Sequence, residues 1–162
     1  MRRKIERPAQ DVLVDFPCAC ATVRRAARAV TQLYDDHLRS SQIEGTQFAL
    51  LSVLGAQGPS SQAHIGYRFA FDKTTLSRNL KVLKNKGWIE TTAAEDARER
   101  RYVLTPAGQK RLAAAKPAWH RAQEHLRSTM TAREWDRMWK LFQTMTLAAH
   151  TARRSMRTGG AR

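Results

Sequence analysis

Apolar residues recur along most of this chain with the period of an amphipathic helix, and the pattern breaks clearly once, between residues 88 and 105. Ala27, Val30, Leu33, Tyr34 and Leu38 form a stripe that predicts a first helix from about 17 to 39. Pro17 suits its first turn, where a missing N–H costs nothing. Glu44-Gly45 separates it from a second helix with Thr46 as N-cap, which runs through Phe48, Leu50, Leu51, Val53 and Leu54 to Gly58-Pro59. That run is apolar on nearly every side, so it belongs at the centre of the core. A third helix follows Ser60-Ser61 with Ile65 and Phe69 facing inward.

Asp72 is placed to cap a fourth helix that stops at Gly87, the residue type that most easily takes the left-handed conformation. Leu76, Leu80 and Leu83 give it one apolar face, while Lys73, Thr74, Ser77, Arg78, Lys81 and Lys84 occupy the rest. Residues 88–92 and 101–105 alternate enough to pair as strands. Thr105-Pro106 then starts a fifth helix, which Pro117 should kink rather than end, because the pattern resumes at Trp119, Ala122, Leu126 and Met130. Thr131-Ala132-Arg133-Glu134 reads as the capping box of a sixth helix with Trp135, Met138, Leu141, Phe142 and Met145 on its apolar stripe. A basic helix followed by a short hairpin is the order of a winged helix-turn-helix that reads duplex DNA.

Composition narrows this further. Twenty-nine Lys and Arg against fourteen Asp and Glu leave a formal charge of +15, which favours a polyanionic partner. The excess sits in residues 61–90, in 106–130 and in the two ends, while 11–60 is near neutral. No apolar run of about 18 residues exists, and Met1-Arg2-Arg3-Lys4 lacks the apolar centre of a signal peptide, so a cytoplasmic protein without a membrane partner is expected. Cys18 and Cys20 do not make a disulfide framework, and with five scattered histidines they show no zinc-ligand spacing. No Ser-His-Asp set, carboxylate pair or glycine-rich phosphate loop stands out, so neither catalysis nor a cofactor is expected.

Five segments in this order, Thr46-Gln47-Phe48-Ala49-Leu50-Leu51, Asp72-Lys73-Thr74-Thr75-Leu76-Ser77-Arg78, Lys86-Gly87-Trp88-Ile89-Glu90, Glu95-Asp96-Ala97-Arg98 and Leu104-Thr105-Pro106-Ala107-Gly108, resemble the MarR family of bacterial transcriptional regulators. The resemblance covers roughly residues 17–150. It implies a mainly α fold with a small β-hairpin wing: a winged helix-turn-helix domain flanked by N- and C-terminal dimerisation helices. Along the chain this divides into a basic arm (1–15), a dimerisation helix (16–40), the DNA-binding domain (41–105), C-terminal dimerisation helices (106–150) and a basic tail (151–162). The implied function is that of a homodimeric repressor that binds a pseudo-palindromic operator and leaves it when a small effector binds. Independently, Trp119, Trp135, Trp139 and Phe142 are more apolar surface than a small winged domain covers by itself.

Thr74, Thr75, Ser77 and Arg78 fall in the first two turns of the fourth helix, the part that enters the major groove in helix-turn-helix proteins. Arg78 can bond guanine O6 and N7 together. Lys73, Lys81 and Lys84 suit phosphates, and Asn79 suits either role. In the family the arginine matching Arg98 reaches into the minor groove. Asp96 can fix that tip by pairing with it, with Arg100 as a further contact and Arg101 as a brace.

A thiol near a helix N-terminus can sense oxidants. Cys20 falls where the organic-hydroperoxide-sensing branch of the family keeps its reactive cysteine, although that branch has an aromatic residue where this chain has Arg24. Inert thiols in a helix interface are the alternative to redox-active Cys18 or Cys20. The family's effector pocket lies between the dimerisation helices and the winged domain, which makes Arg24, Tyr34, His37, Trp119 and His120 candidates for holding a small aromatic carboxylate. A sequence-tolerant architectural DNA-binding protein is the remaining alternative.

Overall fold

Leu76, Leu80 and Leu83, spaced to share one helical face, are almost wholly buried in the computed structural model, which describes residues 18–93 and 100–159. The elements that cover them follow the predicted order. They are α1 (Ala19–Leu38), a 3-10 turn (Arg39–Ser41), α2 (Gly45–Gln57), β1 (Ser60–Ser61), α3 (Gln62–Phe69), α4 (Lys73–Asn85), β2 (Ile89–Ala93), β3 (Arg100–Leu104), α5 (Pro106–Ser128) and α6 (Ala132–Gly159). The fold is mainly α with a small β wing, as the resemblance implied. Among the described residues no helix is long and apolar enough to cross a membrane.

Two local features differ from the expectations. The sheet has three antiparallel strands in the order β1-β3-β2, with Ser60 opposite Tyr102 and Ser61 opposite Arg101. A two-residue strand has no alternation to show, so periodicity could not announce it. α2 is capped by Glu44 rather than Thr46: Glu44 is extended, and the N–H of Gly45 is already met by Asp35 Oδ1 at 2.6 Å, which lets the helix begin two residues earlier. As expected, Pro117 does not end α5.

The core joins Leu38 of α1, Phe48, Leu50, Leu51 and Leu54 of α2, Ile65 of α3, the α4 leucines, Trp88 and Ile89 of the wing, and Leu112, Ala115 and Ala118 of α5. Each fully buried leucine or isoleucine contributes about 1.5–3 kcal/mol relative to exposure. Gly55 lets α5 approach α2, since a Cβ there would stand 3.1 Å from Leu112. The chain divides into two compact units within α5, after His120. In the second unit Thr131 and Glu134 form the expected capping box: Thr131 N–H donates to Glu134 Oε2 at 2.8 Å and Glu134 N–H to Thr131 Oγ1 at 3.2 Å.

The end of α4, the wing and the start of α5 converge on one stretch of backbone. Gly87 adopts φ +68, Trp88 N–H returns to Leu83 O at 3.0 Å and Gly87 N–H to Lys84 O at 2.9 Å, a paired closure of the helix end. Thr105 N–H then donates to Trp88 O at 3.1 Å, and Thr105 Oγ1 donates to Gly87 O at 2.6 Å while accepting from Gly108 N–H at 3.1 Å. Any Cβ on Gly108 would overlap the Trp88 carbonyl. The spacing of Leu104-Thr105-Pro106-Ala107-Gly108 thus has a steric cause.

Gly108→Ala should therefore destabilise the protein by about 1–3 kcal/mol or more, as overpacking against backbone does. Urea unfolding of the two proteins measures it, and an unchanged midpoint would mean that α5 can shift freely away from Trp88.

Candidate nucleic-acid interface

α4 turns one face outward. At about 100° per residue, Thr74, Ser77, Arg78 and Lys81 fall within an arc of about 100° that points away from Leu76, Leu80 and Leu83. All four are exposed. Lys73 and Lys84 lie along one edge of this face, with Lys84 Nζ 3.5 Å from Thr91 Oγ1 of β2. Thr75 and Asn79 lie along the other edge and are turned to their own helix. Asp72 Oδ1 accepts from Thr75 N–H at 2.8 Å, Thr75 Oγ1 donates to Asp72 Oδ2 at 2.6 Å, and Asn79 Nδ2 donates to Thr75 O at 2.9 Å.

The hydroxyl of Ser77 accepts from Gln62 Nε2 of α3 at 2.7 Å. Arg78 and Lys81 make no ion pair among the described residues. Of the eight α4 positions singled out by sequence, four therefore make the outward face and four its margins.

On the wing, Arg100 opens β3, exposed and opposite Ala93. Asp96 and Arg98 lie outside the described residues. Cys18, the half-buried N-cap of α1, and Cys20, exposed in its first turn, are free thiols. Among the described residues no three His, Cys, Asp or Glu side chains come together as a metal site would require.

Several residues that position this interface went unnoticed in the sequence. Lys86, the C-cap of α4, donates from Nζ to Oε1 of the buried Gln47 at 3.1 Å and lies 4.5 Å from the centre of the Trp88 ring. Arg111 of α5 stands 5.2 Å from the same ring and donates to Ser41 O at 2.8 Å. The Arg111–Trp88 contact and the bonds of Lys86 to Gln47 and of Arg111 to Ser41 join segments far apart in sequence, so no spacing signals them. Gln47 carried a legible clue, a lone amide inside an apolar helix, which a core tolerates only if it is bonded.

Behind the interface a cavity of about 490 Å³ opens between α1, α2, the α3–α4 turn and α5. Val30, Tyr34, Phe48, Phe69, Phe71 and Trp119 supply its apolar wall. Trp119 stacks on Phe48 with ring centres 5.7 Å apart, so its own domain absorbs this indole, which sequence counted among the surface left for a partner. Thr31, Thr46 and Ser52 add hydroxyls, and among the described residues no charged side chain is in the lining. Burial raises the pKa of Tyr34 and keeps its phenol protonated.

Of the five candidate effector residues, the structure brings only Tyr34 and Trp119 to this cavity. Arg24 and His37 are not in the lining, and His120 sits at the edge of the Trp119 ring, 4.9 Å between centres. Among the described residues no cation stands in the wall to meet an aromatic carboxylate.

A sequence model described as the MarR family matches residues 41–99. The solved Mycobacterium tuberculosis transcriptional regulator MosR, in complex with DNA, is similar at 35% identity and TM-score 0.76, covering 84% of this chain and 98% of that one. An uncharacterized HTH-type transcriptional regulator of Bacillus subtilis, YwoH, is 27% identical over 89 residues, or 55% of this chain and 65% of that protein, so the match spans just under two thirds of this curated relative. The PcaV regulator of Streptomyces coelicolor, solved with its natural ligand, shares the fold at 22% identity and TM-score 0.74, covering 88% and 99% of the two chains.

The bonds from Thr75 hold the Asp72 carboxyl below its ordinary pKa. A carboxyl whose pKa is depressed by folding stabilises the fold above its unfolded pKa, and that contribution fades as pH falls through the folded value. Asp72→Ala should therefore lower the melting temperature at pH 7, and the gap to the parent should narrow as pH falls from about 4. Equal melting temperatures at pH 7 would show that the cap contributes nothing to α4.

Proposed function

The chain belongs to the MarR family of DNA-binding transcriptional regulators, and from that footing we propose that it is a homodimeric repressor of a pseudo-palindromic operator, released by a small effector. The observation that carries the DNA half is the outward face of α4. Thr74, Ser77, Arg78 and Lys81 stand together on a helix whose opposite face is locked into the core, and neither Arg78 nor Lys81 makes an ion pair among the described residues. Arg78 reads a base pair and Lys81 a phosphate. The wing, through Asp96, Arg98 and Arg100, reaches the flanking minor groove.

Pairing of two copies is supported by where apolar surface is left over. Among the described residues, Trp139, Leu141, Phe142, Leu147 and Met156 are large, exposed and all on α6. A second copy would bury them and set two α4 helices about 34 to 36 Å apart, one turn of duplex.

The cavity supports an effector that is flat, largely apolar and uncharged, because an anion placed there would meet no cation among the described residues. α2 begins at this cavity: Gly45 and Thr46 line it, the N–H of Gly45 is held by Asp35, and Gln47 holds Lys86 at the end of α4. A ligand that parts α1 from α2 would move the reader helix by this route. It must favour one spacing by about 5.5 kcal/mol to invert a 99:1 population. A second reading, oxidation of Cys18 or Cys20 by peroxide to a sulfenic acid and water, is favoured by the exposure of Cys20 at the head of α1.

Selection of bound sequences from random duplex DNA tests the regulator. Recovery of a palindrome is expected, with a preference over scrambled duplex of at least about a thousandfold. Equal affinities governed only by a salt slope would identify an architectural protein instead. On the recovered site Arg78→Ala should lose about 1 to 3 kcal/mol and relax one base pair, while Lys81→Ala should weaken all sequences alike and reduce the salt slope by about 1.

Displacement from that site separates the signals. An uncharged bicyclic aromatic should release the protein and quench Trp119 at concentrations where an aromatic carboxylate does not. Peroxide should release the parent but not Cys18→Ser/Cys20→Ser if the thiol reading holds. Release by the carboxylate alone would overturn the cavity assignment.

A further inference from the structure

The outward face of α4 contains one side chain whose hydrogen-bonding polarity is set by another helix. Ser77 Oγ accepts from Gln62 Nε2 at 2.7 Å, a bond between residues fifteen apart in sequence. Gln62 is well anchored for this purpose. It follows directly on Ser60 and Ser61, which pair with Tyr102 and Arg101 of β3, and it opens α3 behind the N-cap Ser61, whose side chain accepts from His64 N–H at 3.3 Å. One turn further, Ile65 is fully buried. The short third strand thus sets the position from which Gln62 reaches α4.

A serine hydroxyl has one proton and two lone pairs. With one lone pair engaged by Gln62, the proton must point elsewhere. In α6, Thr144 and Thr146 spend theirs on the carbonyls of Lys140 and Phe142, at 2.9 and 2.8 Å. Ser77 makes no such return bond among the described residues. Its proton is left for whatever lies against the outward face, between Thr74, Arg78 and Lys81.

We propose that Gln62 is a specificity-determining positioning residue, which orients the Ser77 hydroxyl so that Ser77 reads the major groove as a hydrogen-bond donor. The proposal rests on the reading of α4 as the DNA-recognition helix. An unconstrained serine serves acceptors and donors alike, whereas one with a lone pair already taken by Gln62 has fewer sites left to accept and favours donation. Guanine presents N7 and O6, adenine N7 and thymine O4, all acceptors, whereas cytosine presents its N4 amino group, a donor. At the base facing Ser77, cytosine is therefore the disfavoured base.

The test is parallel selection from random duplex DNA with the full-length parent, Gln62→Ala, Gln62→Glu, Ser77→Ala and the double Gln62→Ala/Ser77→Ala, comparing base frequencies column by column. The parent should recover a palindrome with cytosine depleted at one symmetric column. Gln62→Ala should restore cytosine at that column by about three- to tenfold, the worth of one hydrogen bond, and leave the other columns as they were. Ser77→Ala should alter the same column, and the double variant should match Ser77→Ala.

Gln62→Glu, which can only accept, turns the hydroxyl proton inward. It should enrich cytosine at that column whatever its effect on total affinity. The proposal is overturned if Gln62→Ala recovers the parent's frequencies, weakens all sequences uniformly, or changes a column that Ser77→Ala leaves alone. A parent that recovers no motif would overturn the regulator reading and this proposal with it. A parent motif that only Gln62→Ala fails to modify would overturn this proposal alone.

Discussion

The carbonyl of Trp88 holds together the parts of this protein that must keep a fixed geometry. It accepts from Thr105 N–H, faces a glycine at 108 because no larger residue fits, and follows the left-handed Gly87 that closes α4. The end of α4, the base of the wing and the first turn of α5 are thereby joined within a few ångströms of backbone. Lys86 and Arg111 over the Trp88 ring extend the junction to α2 and to the turn after α1. A helix that reads base edges must not roll, and contacts at its carboxyl end control roll without occupying the face that enters the groove.

At the other end of α4 the commitments are complementary. Asp72 takes the first free N–H groups and fastens Thr75, and Asn79 bends back to Thr75 O. These polar side chains are spent on the helix itself. Those left on the outward face divide by chemistry: Arg78 and Lys81 carry charge, while Thr74 and Ser77 carry hydroxyls, which are directional. The structure sorts residues that look equivalent in the sequence.

Much of this was legible in the chain because its signals are local. Leu76, Leu80 and Leu83 at helical spacing, Asp72 before them and Gly87 after them define α4 through interactions that span at most a few turns. Thr105-Pro106 and Thr131 to Glu134 mark helix starts for the same reason. The failures are equally physical. Ser60-Ser61 is too short to alternate, and Glu44 displaced Thr46 as cap because Asp35, from the preceding helix, supplied the acceptor that freed the backbone to begin earlier. The effector candidates were chosen by residue type, and type does not say which way a side chain on α1 points. Tyr34 reaches the cavity, whereas Arg24 and His37 do not.

Sequence alone determined the order of the helices and the hairpin, the buried and outward faces of α4, the basic charge and the resemblance to the family, because each depends on periodicity or on local motifs. Tertiary structure decided that the described cavity wall is uncharged, that Gln62 bonds Ser77 and Gln47 bonds Lys86 from other helices, and that Arg111 stands over Trp88. Those outcomes depend on distances between segments tens of residues apart. Such distances are set by how whole faces pack, and no local pattern encodes them.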